Sequence, residues 1–271
     1  MCRSELTLYQ YEICPYCCKV KAYLDFAQIP YRVVEINPVA KTEMKELSAL
    51  NGGEKVGKVP VVVLQKADGS TELLKESSDI IDHLVAAQGA TSAGDAQEQA
   101  RWREWVDDRW VRVVTVNIYR TLGESLQTFE YMTTLGKFSA LEKFYVRYGG
   151  GLLMFMVAKK MRGKYKIAEE KGSDPRTALY AAAAEWTEAL AGRPFLGGDA
   201  PGLADLGVYG VLQAVRGMDT FTELLETDES MAAWYGRMGE CVGAPSRLTP
   251  DGVSARRKHP TSGRFFYRTR V

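Results

Sequence analysis

Residues 6–20, LTLYQYEICPYCCKV, run from an alternating apolar and polar stretch directly into three cysteines within five positions. Period-two alternation marks a half-buried strand, and a proline just after a cysteine suits the first position of a helix, where its missing N–H costs nothing. The stretch therefore predicts a strand, a short turn and a helix with Cys14 at its mouth. Unpaired N–H groups and the positive end of the dipole at such a mouth stabilise a thiolate, and Lys19 and Lys21 add positive charge nearby. Cys17, one turn on, faces the same way and can form or resolve a disulfide with Cys14, while Cys18 reads as structural.

Two regimes follow along the chain. Up to residue 88, short β-rich runs alternate with helical patterns: LTLYQY, a helix near 17–27, YRVVEI, a helix near 42–50, then VVVLQKADGSTELL, a hairpin turning at Asp68-Gly69, and SSDIIDHLV, a helix opening at a Ser cap. The order βαβαββα predicts a thioredoxin-like α/β domain over 1–88. Small and polar residues make 89–97 a linker. Beyond it strand signals vanish, and Trp102, Trp105, Val106, Trp110 and Val113 recur at helical spacing. Further helical runs near 124–135, 138–161, 175–191, 203–216 and 231–241 predict an all-α domain over 98–243. Residues 244–271, rich in Pro, Gly, Ser and Arg, read as a disordered tail, with ARRKHP and RFFYRTR read as solvated and, as the alternative, as a basic and aromatic contact patch.

Composition excludes several classes. The net charge of +1 gives no bulk electrostatic case for nucleic acid or for an anionic membrane surface. Five cysteines, three of them clustered, and only two histidines, His83 and His259, complete no zinc tetrahedron and no secreted disulfide framework. The most apolar stretch, GGGLLMFMVA at 149–158, is too short to span a bilayer and reads as a buried helix, so membrane association is not evident. The strand pattern begins too early for a secretory leader, which reads as an intracellular chain or a trimmed one.

Two further motifs surround the thiol. In KVP, Pro60 after Val59 opens a strand and can supply a cis peptide bond whose exposed backbone pairs with an extended peptide. In ESSD, Ser77 begins a helix whose free N–H groups suit a carboxylate, and Glu76 can hold an ammonium. A thiolate, a backbone edge and an amino-acid headgroup clamp together form the recognition set for a γ-glutamyl-cysteinyl tripeptide, glutathione.

CPYC, KVP and ESS together resemble the glutaredoxin and glutathione transferase N-terminal domain, and RPFLGGDAPGLADLGVYGVL at 193–212 resembles the transferase C-terminal signature, with Asp205 capping the core helix. Gly202 stands where Ser, Thr or Asn is usual, so part of that cap is expected to be missing. More narrowly, LTLYQYEICPYCCKVKAYLDF, IPYRVVEINP, WREWVDDRW, NIYRT and GKF resemble the microsomal prostaglandin E synthase type 2 family.

That resemblance implies a glutathione-binding isomerase that turns prostaglandin H2, or a related lipid endoperoxide, into prostaglandin E2. It implies Cys14 as the essential thiol, Tyr11 hydrogen-bonded to it, Tyr16 lining the pocket, Cys17 supporting the site, and Val59, Pro60, Glu76 and Ser77 holding glutathione. Lys160 and Lys164, Arg in animal members, would attract the substrate carboxylate. Glu76 replaces an Asp of animal members, and residues 109–112 replace a stretch carrying a His near their haem site, so haem contact through that His is not expected. The implied partner is a small lipid substrate and not nucleic acid, a homodimer is allowed, and the implied location is cytoplasmic, with organelle-membrane association requiring a further segment. Two rivals stay open: a glutaredoxin-like thiol-disulfide oxidoreductase, and a non-catalytic protein that sequesters glutathione, haem or lipid.

Overall fold

The computed structural model describes residues 5–38, 41–135, 139–168 and 174–248. The first half is β1 (Glu5–Gln10), α1 (Pro15–Phe26), β2 (Arg32–Glu35), α2 (Thr42–Leu50), β3 (Val61–Gln65), β4 (Thr71–Lys75) and α3 (Ser77–Ala87), the predicted βαβαββα order. The sheet order is β2-β1-β3-β4, with β1 parallel to β2 and the β1/β3 and β3/β4 pairs antiparallel. The hairpin turns at Gly69, whose φ of +84° is one that L residues avoid. Leu8, Val20, Leu24, Val62 and Ile80 are buried from β1, α1, β3 and α3, so α1 and α3 share one face of the sheet. Val61, Val63 and Leu47 pack on the other, under α2.

The second half is helical. α4 (Ala96–Trp105) runs through a π-helical turn at Val106–Trp110 into α5 (Val111–Ile118). There follow α6 (Leu122–Leu135), α7 (Ala140–Tyr145), a second π turn at Val146–Gly150 leading into α8 (Gly151–Lys164), then α9 (Pro175–Ala189), α10 (Leu203–Ala214), α11 (Asp219–Thr227) and α12 (Glu229–Val242). The tryptophans 102, 105, 110, 186 and 234 form one ring cluster with neighbouring centroids 4.8–6.3 Å apart, the centre of this half. α10 is buried nearly throughout and packs on α1. Gly210 permits the approach, because a Cβ there would lie 2.6 Å from the Lys19 Cα.

Several expectations are corrected. Residues 149–158 are not a buried helix: Leu153 is 56% exposed and Met156 52%, because α8 buries only the side that carries Gly151 and Ala158. The helix read over 138–161 is two helices joined by the π turn, and α11 falls between the helical runs read at 203–216 and 231–241. α3 has no Ser cap; its N-cap is Glu76, at φ +62°, with no side chain capping the first turn. The α10 cap is complete despite Gly202. Gln99 Oε1 accepts the Ala204 N–H at 2.9 Å, Ser92 Oγ accepts the Leu203 N–H at 3.1 Å, and Asp205 accepts the Gly202 N–H at 2.9 Å. A Cβ at position 202 would collide with Gln99 at 2.4 Å, so the glycine is what admits the distant cap. Residues 244–248 are packed: Ser246 N donates to Asp25 at 2.9 Å and Leu248 N to the Tyr31 carbonyl at 2.7 Å. The rest of the expected tail lies outside the described residues.

Candidate active site

The turn between β1 and α1 ends at Cys14, and the first turn of α1 carries Cys17 and Cys18. Cys14 is the N-cap of α1 in extended conformation, Pro15 is the first helical residue, and the Cys14 N–H donates to the Tyr11 carbonyl at 3.0 Å. Cys14, Cys17 and Cys18 are free thiols; Cys14 is partly buried and the other two are buried. A hydrogen bond from the Cys17 thiol, backbone N–H groups at Cys17 and Tyr16, and the Lys21 charge hold the Cys14 thiol below its ordinary range, against its own burial. Burial and the bond it donates push Cys17 well above. The two therefore divide into a thiolate and the thiol that stabilises it. Cys18 Sγ bonds the Glu12 carbonyl at 3.3 Å, a structural contact.

A buried polar group supports this turn from below. Glu35 on β2 accepts the Glu12 N–H at 2.7 Å and the Gln10 amide at 3.0 Å, and Lys21 pairs with Glu12 at 2.9 Å. Burial pushes the Glu35 carboxyl up to about 6. Two phenols lie within electrostatic reach of the Cys14 sulfur. Tyr16 is pushed up to about 12 by burial and by the Asp107 charge, and Tyr11 is raised by burial and by Glu35. The hydrogen bond between Tyr11 and Cys14 uses the Tyr11 backbone carbonyl.

At the same end of the sheet, where Val61 pairs with Tyr9, the Val59–Pro60 peptide is cis and leads into β3. The first turn of α3 begins at buried Ser77, and Glu76 beside it is exposed. The Ser78 hydroxyl bonds Asp107 at 3.2 Å, and Asp107 also pairs with Lys19, which is nearly fully buried on α1. Asp107 lies in the first π turn, so one carboxylate of the helical half joins the starts of α1 and α3.

Three residues of the helical half near the thiol carried no functional assignment in the sequence. These are Asp107, Arg112, whose charge acts on Tyr16, and buried Tyr119, raised by burial and by the Cys14 charge. Periodicity gave no signal for them, because the π turn at Val106–Trp110 shifts the facing of the residues that follow it. A cavity of about 580 Å³ opens beside Arg112, lined by Arg109, Val113, Tyr165, Ile167 and Ala178 as well. Arg112 pairs with Asp108 and stacks on Tyr165 at 4.2 Å. Lys160 and Lys164 do not line this cavity; both are exposed on α8.

A free thiol at a helix mouth, a cis-proline strand edge and a helical half docked on α1 define a glutathione S-transferase-like protein. Residues 8–92 match the glutathione S-transferase N-terminal domain and 176–237 its C-terminal domain. A solved structure of glutathione S-transferase III in its apo form superposes with a TM-score of 0.56 at 17% identity, covering 89% of this chain and 93% of that one. Within that class the chain belongs to the prostaglandin E synthase 2 family, a family of enzymes. It is 35% identical to prostaglandin E synthase 2 of Mus musculus over 89% of this chain and 72% of the relative. It is 32% identical to that of Danio rerio, over 86% and 70%.

Proposed function

We propose that this protein is a glutathione-binding isomerase acting on prostaglandin H2 or a related lipid endoperoxide. The observation that carries this reading is the asymmetric thiol pair, Cys14 lowered and at the helix mouth, Cys17 raised and buried within the helix. The Cys14 thiolate attacks the endoperoxide oxygen on C9, forming an S–O bond as the O–O bond breaks and leaves an alkoxide on C11. Loss of the C9 proton then expels the thiolate, giving a ketone at C9, and the alkoxide takes a proton to become the hydroxyl. No net oxidation occurs and the thiolate is regenerated. Tyr16, which stays protonated at neutral pH, is the candidate donor to the alkoxide.

Glutathione fits along the Val59–Pro60 edge, with a carboxylate on the N–H groups of Ser77 and Ser78 that no side chain caps, and Glu76 facing its ammonium. Lys160 and Lys164, four apart at the end of α8, would draw a substrate carboxylate by charge, and Arg112 is the cation at the cavity itself. The test is prostaglandin H2 turnover measured beside disulfide reduction on one preparation. Turnover that disappears in Cys14→Ser supports the isomerase. Disulfide reduction without isomerisation moves the protein to the oxidoreductase reading, which the Cys14–Cys17 hydrogen bond favours as second choice. Neither activity, with glutathione still bound, makes it a sequestering protein.

A further inference from the structure

The helical run from α7 through the second π turn to α8 carries an apolar face that the other described residues leave exposed. Leu141 is 65% exposed, Phe144 57%, Tyr148 47%, Leu152 48%, Leu153 56% and Met156 52%. Their spacing of three and four residues puts them on one side of the run, and Lys160 continues that side from Leu153 and Met156. The run has 25 residues from Ala140 to Lys164, about 35 Å at helical rise. A face of that length is larger than one small substrate covers.

Charge selects the occupant. Residues 139–168 hold seven cations and one carboxylate, a net of +6 in a chain whose total is +1. The carboxylate, Glu142, is turned into the α7 cap with Ser139 and to Asn37 at 3.1 Å. Arg147 is paired with Glu130, while Lys143, Lys159, Lys160 and Lys164 stand exposed around the apolar strip. The Lys159 and Lys164 ammonium groups lie over the Phe155 and Tyr165 rings at 4.6 and 5.0 Å, so cation and aromatic surface adjoin along this run. A second copy docked face to face would set these cations against their own images. No helix among the described residues is long and apolar enough to cross a bilayer. We propose that this face lies on an anionic lipid surface, its apolar strip in the headgroup region and Lys143 and Lys159 on the lipid phosphates and carboxylates.

The test is flotation of the full chain with vesicles of phosphatidylcholine and phosphatidylserine, with pure phosphatidylcholine vesicles alongside. The parent should float with the anionic vesicles only, and release as salt rises. Leu153→Ser with Met156→Ser should weaken partitioning tenfold or more. Lys143→Ser with Lys159→Ser should weaken it roughly 25-fold, about fivefold for each cation near the surface. All four residues are exposed, so both variants should keep the parent's melting temperature and glutathione binding. The proposal fails if the parent does not float with anionic vesicles at low salt. It also fails if the Leu153/Met156 variant floats as well as the parent, which assigns binding to another surface such as the basic residues 255–271. A parent that sediments as a dimer, dissociated by the same two substitutions without vesicle binding, gives the face to a second copy and overturns the lipid assignment.

Discussion

Cys14 in the sheet half and Asp107 in the helical half both lie beside the first turns of α1, and each is held by a different kind of structure. Cys14 is supported by its own neighbourhood: the helix mouth, the N–H groups of Tyr16 and Cys17, and a thiol three residues on. Asp107 is held by groups distant in sequence, Lys19 and the Ser78 hydroxyl, and only because the π turn reorients the helix that carries it. A reactive anion placed by a local motif is set by a short stretch of chain. A joining anion exists only once both halves have docked. Asp205 follows the second pattern, buried on the N–H groups of Leu196, Gly197 and Gly202 and on the Trp234 indole.

The largest expected effect breaks the local side of this contrast. Cys14→Ser should lower prostaglandin H2 turnover about a thousandfold or more with the fold intact, read by initial rates beside circular dichroism. Next comes the docking of the halves. Gly210→Val would drive a side chain into the α1 backbone at a site where a Cβ already lies 2.6 Å from Lys19, costing about 3 kcal/mol in urea unfolding. An unchanged midpoint would mean that α1 and α10 do not depend on that approach.

Asp107→Ala leaves Lys19 buried without its carboxylate, and a loss of between about 2 and 3 kcal/mol is expected, reduced from the fully buried case because Asp107 is 32% exposed. Turnover should fall along with stability if Asp107 truly couples the α3 terminus to the thiol turn. Glu35 supplies a pH test. Its folded carboxyl holds the proton more tightly than the unfolded one, so the associated stability is present below about pH 4.5 and is lost as pH rises through about 6. The loss is about 2 kcal/mol, and urea midpoints across that window should flatten in Glu35→Gln. The smallest effect sharpens the contrast from inside the motif. Cys17→Ser keeps a hydroxyl donor to the thiolate and should retain turnover within about tenfold, whereas a reductase that resolves its own disulfide would lose nearly all of it.

The alternation in LTLYQY, the proline after Cys14, the Asp-Gly turn and the tryptophan spacing are each local, and each was readable because backbone propensity and side-chain period act over a few residues. The same reasoning failed at 149–158, where composition is as apolar as in α10 but no helix among the described residues covers the outer side of α8. It failed at the α3 start, where Glu76 adopts the left-handed φ and takes the cap position from Ser77.

The sequence by itself determined the order of elements, the thiol at the helix mouth and the division into a sheet half and a helical half, since these follow from periodicity and from the chemistry of adjacent residues. Tertiary structure alone decided that Gln99 and Ser92 complete the cap that Gly202 lacks, that Asp107 joins α1 to α3, and that one apolar helix is buried while another lies open. The physical reason is that hydrogen bonds and buried area belong to pairs of surfaces. A residue's own identity states what it can satisfy, and only its distant neighbours in the fold state whether it is satisfied.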